Sequence, residues 1–323
     1  MAKLAPVVCL HNGRSMPILG LGTYNAKPNE VRTAVETAID IGYRHIDTAY
    51  LYQNETEVGE AVRNKIQSGL VSREDLFICT KLWSHFYHPD KVRRGVQKSL
   101  ENLNLGYIDL MLLHAPVAMK YVDDNTTMPQ DATGKVLVEK HTDHVALWKE
   151  LEKAVDDNVV KAIGLSNFTP AQIDNILQHC RIRPAVLQAE GHAYLTQKPL
   201  MDYCRRNSLV LVAYAPLGSP RVPRPFRSDE ESAKEPVLLQ EAIVTKLADT
   251  YKKTAAQILL RYLVDSGWVV IPKSSTAARI RENFDIWDFQ LSADDVKQLD
   301  GLNRDFHYYK FEFMEASDDY PFK

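Results

Sequence analysis

The sequence predicts a (β/α)8 TIM barrel with an N-terminal β-hairpin. Short β-branched or apolar runs alternate with segments of helical periodicity along most of the 323 residues. A single antiparallel hairpin pattern precedes them. The G-x-G-x-x-G turn that a dinucleotide-binding open sheet places after its first strand is missing, because Gly20-Leu21-Gly22 runs into Thr23-Tyr24-Asn25. An open doubly wound sheet gives the same alternation and remains the competing architecture at this level.

In chain order, Val7-Val8-Cys9-Leu10 and Ser15-Met16-Pro17-Ile18 flank Asn12-Gly13, which tolerates the positive φ of a two-residue turn and gives a hairpin over 7–18. Strands are expected at 43–47, 76–81, 108–114, 162–166, 185–190, 210–214 and 269–271, with a weak eighth near 283–285. Helical spacing covers 30–40, 55–68, 91–103, 143–156, 169–178, 200–207, 237–252, 254–266 and 292–302, and a further helix is expected to begin near Thr276. Three stretches, 116–142, 217–236 and 303–323, read as irregular. In a barrel the first two follow strands and lie over the face where long loops carry function. Residues 1–323 read as one domain, since α/β barrels routinely exceed the usual domain length.

Composition removes several classes of function. Hydrophobic residues at 45% and charged residues at 25% exclude disorder and collagen-like architectures. Lys and Arg number 39 against 42 Asp and Glu, and the net charge of -3 argues against nucleic acid or an anionic membrane as partner. No run of about 20 apolar residues is present to span a bilayer. Cys9, Cys79, Cys180 and Cys204 form no C-x-x-C pair, so a reducing, cytoplasmic setting is expected. The apolar run 4–10 is broken by Pro6 and lacks a cleavage site, which makes a poor signal peptide.

In a barrel, polar residues at strand C-termini face one mouth. Asp47, Lys81 and His114 end three consecutive expected strands, and Tyr52 follows Asp47 in a loop. Ser166-Asn167, Gln188, Tyr214 and Lys273-Ser274 occupy the ends of later ones. Any one of these read alone is a helix cap or a solvated side chain; the set suits one job. A phenol of pKa ~10 is a poor acid at neutral pH. A neighbouring ammonium stabilises its phenolate and lowers that pKa, and a carboxylate keeps the ammonium charged and aimed. An imidazole beside the phenol can orient a carbonyl oxygen. This is general-acid chemistry on C=O, and it needs a hydride donor such as a nicotinamide.

Three long motifs then resemble the signatures of the aldo-keto reductase family: Gly42-Tyr43-Arg44-His45-Ile46-Asp47-Thr48-Ala49 with Glu55 and Val58-Gly59, Lys161-Ala162-Ile163-Gly164-Leu165-Ser166-Asn167-Phe168, and Ile271-Pro272-Lys273-Ser274 with Arg279 and Glu282-Asn283. The similarity runs from the hairpin to Asp319-Tyr320-Pro321-Phe322. It implies a monomeric (β/α)8 barrel that reduces small-molecule carbonyl substrates with NADPH. Carried over by position, it makes Tyr52 the general acid, Lys81 and Asp47 its tuning pair and His114 the group that orients the carbonyl. Ser166, Asn167 and Gln188 would hold the nicotinamide carboxamide, and Tyr214 would stack on the ring. Lys273, Ser274 and Arg279 would clamp the adenosine 2′-phosphate at a helix start, where two cations and a hydroxyl suit an anion. Asn283 would contact adenine. Gly22, Thr23, Tyr24, Leu217, Ser219, Ser275, Thr276 and Glu282 would complete the cofactor cleft.

The chain departs from the family pattern at three places. Ala115 replaces a bulky residue after His114, His192-Ala193-Tyr194 replaces His-Pro-Tyr, and Ala215 replaces a serine after Tyr214. Ala115 is expected to widen a substrate pocket lined by Tyr24, Tyr52, Trp83, His114, Phe311 and Phe313, suiting hydrophobic aldehydes and bulky, steroid-like ketones. Two patterns are set aside. Tyr87-x-x-x-Lys91 copies a catalytic spacing that needs one continuous helix, but Pro89 interrupts it. His85/His88 and His141/His144 lack ligands to complete a tetrahedral metal set, so no metal is expected. A non-catalytic, NADPH-binding relative is the alternative to the enzyme, since one fold serves both.

Overall fold

Alternate strand residues point to two different cores, and that alternation builds the molecule. The computed structural model describes residues 4–219 and 228–323. A hairpin of β1 (Val7–Cys9) and β2 (Ser15–Pro17) comes first. Eight parallel strands follow in sequence order: β3 (Leu21–Gly22), β4 (His45–Asp47), β5 (Phe77–Leu82), β6 (Leu110–Leu113), β7 (Ile163–Ser166), β8 (Val186–Glu190), β9 (Val210–Tyr214) and β10 (Val269–Val270). Helices α1 (Pro28–Ile41), α2 (Glu55–Gln67), α3 (Pro89–Leu103), α4 (His144–Asp156), α5 (Pro170–His179) and α6 (Lys198–Arg206) intervene up to β9. After it come α7 (Asp229–Ala233), α8 (Ala242–Tyr251), α9 (Ala255–Asp265), α10 (Ala277–Phe284) and α11 (Ala293–Asp300).

Outward residues such as Ile46, Ile78, Met111, Leu113, Leu165 and Leu187 join the core shared with the helices. Inward residues Phe77, Cys79, Leu110, Leu112, Val186 and Val212 form a second core inside the barrel, closed below by Leu10 and Met16 of the hairpin. The sequence order of parallel strands, with no reversal, removes the open-sheet alternative. The ring closes where Gly20 N donates to Val270 O at 2.9 Å and Gly22 N donates to Pro272 O at 3.1 Å.

The eighth strand is therefore not at 283–285, which lies at the end of α10. It is β3, two residues long, preceded by Gly20 and ending on Gly22 because the seam leaves no room. A Cβ on Gly22 would stand 2.8 Å from the Ile271 carbonyl oxygen. The hairpin turn also differs from the expected two-residue form. Leu10 N bonds Arg14 O and Gly13 N bonds Leu10 O, both at 2.8 Å, so the loop spans five residues with only Gly13 at positive φ. Asn12 instead accepts a bond from Arg14 N at 3.2 Å. The expected helix over 237–252 breaks at Glu241, whose extended backbone separates a 3-10 turn (Leu238–Gln240) from α8. Its carboxylate is drawn to Arg304 at 2.7 Å and to the Tyr194 hydroxyl. Helix α7 falls inside the stretch expected to be irregular, of which 220–227 lie outside the described residues. Among the described residues no helix is long and apolar enough to cross a membrane.

Gly22→Ala should force the β3–β10 seam apart and lower stability by about 1–3 kcal/mol. Urea denaturation checks this; an unchanged midpoint would mean that the seam has slack.

Candidate active site

Each inward series, continued toward the C-terminal end of its strand, exchanges apolar for polar residues. Phe77 and Cys79 lead to Lys81, His45 to Asp47, Leu110 and Leu112 to His114, Val186 to Gln188, and Val212 to Tyr214. The pleat that fills the barrel thus also delivers these groups to one mouth.

The geometry there is tight. Lys81 is fully buried, and its Nζ donates to Asp47 Oδ1 at 2.5 Å, to Thr48 O at 2.9 Å and to Tyr52 Oη at 3.4 Å. Gln188 Nε2 donates to the other Asp47 oxygen at 2.9 Å. Tyr52 comes from a 3-10 turn (Tyr50–Tyr52) after β4, and its ring meets the His114 ring edge-on at 5.6 Å. Burial would lower the Lys81 pKa, but Asp47 and Tyr52 hold it above its ordinary value, so the amine is charged. Burial pushes the Tyr52 phenol up, and Lys81 opposes without overcoming it. The expected lowering of that pKa is thus only one contribution, and the net direction is upward. His114 is driven well below its ordinary value by burial and then by Lys81, so its imidazole is neutral, with Nδ1 unpartnered among the described residues.

A cavity of about 630 Å³ opens above this cluster. It is lined by Gly22, Thr23, Tyr24, Asp47, Tyr52, Trp83, His114, Ser166, Asn167, Gln188, Tyr214, Leu217, Ser219, Lys273, Arg279, Phe311 and Phe313 of the residues expected from sequence. Asn167 is fixed from two sides: its Nδ2 donates to His114 O at 2.9 Å, and its Oδ1 accepts from Tyr214 Oη at 2.8 Å. Trp83 Nε1 donates to Thr127 O at 2.6 Å, tying the 116–142 stretch to the cavity wall.

Other expected residues do not reach the cavity. Ala115 is fully buried and absent from the lining, its N–H 3.4 Å from Tyr87 Oη. Ser274 Oγ accepts from Thr276 N at 3.2 Å ahead of α10, Glu282 accepts from Thr254 Oγ1 at 2.7 Å, and Asn283 is buried. Ser274, Ser275, Thr276, Glu282 and Asn283 all lie outside the lining. Tyr87 precedes α3, which starts at Pro89, so Tyr87 and Lys91 share no helix. Sequence reasoning missed Thr48, Met128, Leu239 and Tyr309. For Tyr309 a signal existed: Tyr309-Lys310-Phe311-Glu312-Phe313 alternates aromatic and charged residues, and all five line the cavity.

The donor set fits a dinucleotide. Lys273 and Arg279 have no ion-pair partner among the described residues, yet both border the cavity that holds Tyr52. No described donor binds the amide oxygen of Gln188.

Comparison with known proteins identifies the family. The aldo/keto reductase family model matches residues 18–304. The chain is 43% identical over 309 residues to aldo-keto reductase family 1 member A1 of Xenopus tropicalis, covering 95% of this chain and 92% of that protein. It is 40% identical over 320 residues to prostaglandin F synthase 1 of Bos taurus, covering 98% and 97%. The solved aldose reductase from Schistosoma japonicum superposes with a TM-score of 0.90 at 43% identity, over 98% of this chain and 99% of that one. These matches define a (β/α)8 oxidoreductase. The chain belongs to the aldo/keto reductase family.

The depressed His114 pKa fixes a pH dependence. Below about pH 6.5 the unfolded chain binds a proton at His114 that the folded chain refuses. Stability is therefore present above that pH and lost as pH falls, by up to about 1.4 kcal/mol per unit. His114→Gln should flatten this part of the acid limb in denaturation curves taken between pH 7 and 5; an unaltered limb would show that His114 is protonated in the folded state.

Proposed function

We propose that this protein reduces aldehydes and ketones to alcohols with NADPH, with Tyr52 as the general acid. The observation that carries the reading is the Asp47–Lys81–Tyr52 line at 2.5 and 3.4 Å on the floor of an aromatic-walled cavity. When bound, NADPH supplies a hydride to the carbonyl carbon. Tyr52 Oη gives its proton to the carbonyl oxygen, and Lys81 stabilises the phenolate that remains until a proton from solvent restores it. Neutral His114 offers a hydrogen bond that aims the carbonyl oxygen at Tyr52.

On the cofactor side, Ser166, Asn167 and Gln188 hold the carboxamide, with Tyr214 against the ring. Lys273 and Arg279 take the 2′-phosphate, a role supported by their lying at the cavity edge with no ion-pair partner among the described residues. Ser274, Ser275, Thr276, Glu282 and Asn283 shape that end. Tyr24, Trp83, Phe311 and Phe313 wall the substrate side, which favours hydrophobic and bulky carbonyl compounds, steroid-like ketones among them.

Absorbance at 340 nm with a panel of aldehydes and ketones tests the reaction. Tyr52→Phe should cut turnover by about 10²–10⁴ while NADPH still binds. Full activity in the variant would remove Tyr52 as the acid, and NADPH binding without turnover in the wild type would overturn the enzyme reading. Lys273→Met and Arg279→Met should each raise the KM for NADPH roughly tenfold or more and leave that for NADH nearly unchanged. Equal effects on both cofactors would refute the phosphate assignment.

A further inference from the structure

The reaction derived above makes no use of Glu190, although the inward series Val186, Gln188, Glu190 carries it to the same end of the barrel. Its side chain is 1% exposed, and a buried carboxylate is costly unless donors replace the lost water. Oε1 accepts from His192 Nε2 at 3.0 Å and from Tyr308 N at 2.8 Å. Oε2 accepts from His307 Nδ1 and from Tyr309 N, both at 3.2 Å. A carboxylate only accepts, so both imidazoles turn an N–H toward it. Burial would raise its pKa, but the two imidazoles hold it below the ordinary carboxylate range. Glu190 is therefore charged.

Three of these donors belong to residues 307–309, where the C-terminal segment crosses onto the mouth. Those residues in turn hold other parts of the wall. The Tyr309 ring stands edge-on to Tyr24 at 6.1 Å and to Tyr214 at 5.8 Å, and its hydroxyl is 2.8 Å from Ser219 Oγ. Tyr308 Oη donates to Pro236 O at 2.6 Å. One carboxylate thus grips the two residues that fasten both flanks of the 217–236 stretch. Directly beyond, Phe311 has φ 51° and lines the cavity with Phe313. An aromatic residue in the left-handed region is strained and persists only where its surroundings over-determine it.

We infer that Glu190 is a positioning residue: it locks the C-terminal segment in place as the aromatic wall and so sets the affinity for bulky carbonyl substrates. It does so without touching the reacting atoms. The inference rests on the proposed carbonyl reduction for its kinetic readout.

Glu190→Gln keeps the shape but turns an NH2 group toward backbone donors. The KM for a bulky aromatic ketone should rise about tenfold, with its kcat and both constants for propanal within about twofold of wild type. In a Phe311→Ala background the same substitution should add little, because the wall is already lost. Hydrogen exchange at the Tyr308 and Tyr309 amides should accelerate. Equal losses for propanal and the ketone, a fall in kcat alone, or an unchanged ketone KM would each overturn the inference. Should the glutamine variant not fold, Glu190→Asp keeps the charge at shorter reach and must show the same ketone-selective rise; a loss shared with propanal would refute it. If wild type turns over no carbonyl, the reductase reading fails. Quenching of Trp83 fluorescence by the ketone then still decides for Glu190, which predicts weaker quenching in the variant, and equal quenching would overturn it.

Discussion

A buried ammonium is the constraint on which the site depends. Lys81 is fully enclosed, and an unpaired charge there would cost several kcal/mol, on the order of what the whole fold can spare. Asp47 and the Thr48 carbonyl are what make it tolerable, and both belong to the neighbouring strand end. The pairing of Asp47 with Cys79 in the β4–β5 register sets that approach. Gln188, across the barrel, saturates the second oxygen of Asp47. The ion pair is consequently held by three strands that the outer core already fixes, and neither partner can relax toward another geometry without opening the barrel.

That rigidity changes how the phenol is to be understood. The sequence suggests an acid made stronger by its amine, but Tyr52 is a weaker acid than free tyrosine, because burial outweighs Lys81. For a proton donor this is an advantage before the reaction, since the hydroxyl is fully protonated at neutral pH. Under the proposed mechanism the amine matters later, when charge develops on the phenolate in a medium that screens it poorly. Burial, reinforced by the same charge, keeps His114 neutral, which leaves an imidazole able to offer a hydrogen bond without adding a second cation. Burial thus sets the charge state of both neighbours, and the ammonium opposes it at Tyr52 and reinforces it at His114.

What could be read from sequence follows from this layout. Asp47, Lys81, His114, Gln188 and Tyr214 end apolar runs, so period-two alternation marks both strand and mouth. The expected residues that fall elsewhere depend on facts alternation does not carry. Strand β3 is two residues, Leu21 and Gly22, and neither length nor composition signals a strand; only the space at the seam explains it. Ala115 follows the inward His114 and so belongs to the opposite, outward phase, where it is enclosed. The alternation itself could have excluded it from the cavity. Tyr309 was legible in the aromatic alternation of the tail, but its partner Glu190 stands 119 positions away in sequence. No local pattern links them.

The mouth divides the work between a floor and a wall. The floor is built from strand ends, with positions fixed by packing on both sides of the barrel. The wall is built from segments that leave the barrel, and there the backbone is strained: Asn167 at φ 63°, Ala215 at φ 50° and Phe311 at φ 51° all occupy the left-handed region. Asparagine accepts that conformation readily, alanine and phenylalanine at a cost. Each strained residue is next to a hydrogen bond or a close contact that fixes it: Asn167 between His114 and Tyr214, Ala215 after Tyr214, and Phe311 beyond the residues that Glu190 grips. Strain of this kind survives because charged and polar groups on the floor hold the wall from below. Under the proposed reduction the floor governs which bond can be made, and under the inference drawn for Glu190 the hold on the wall governs which molecules come near enough to make it.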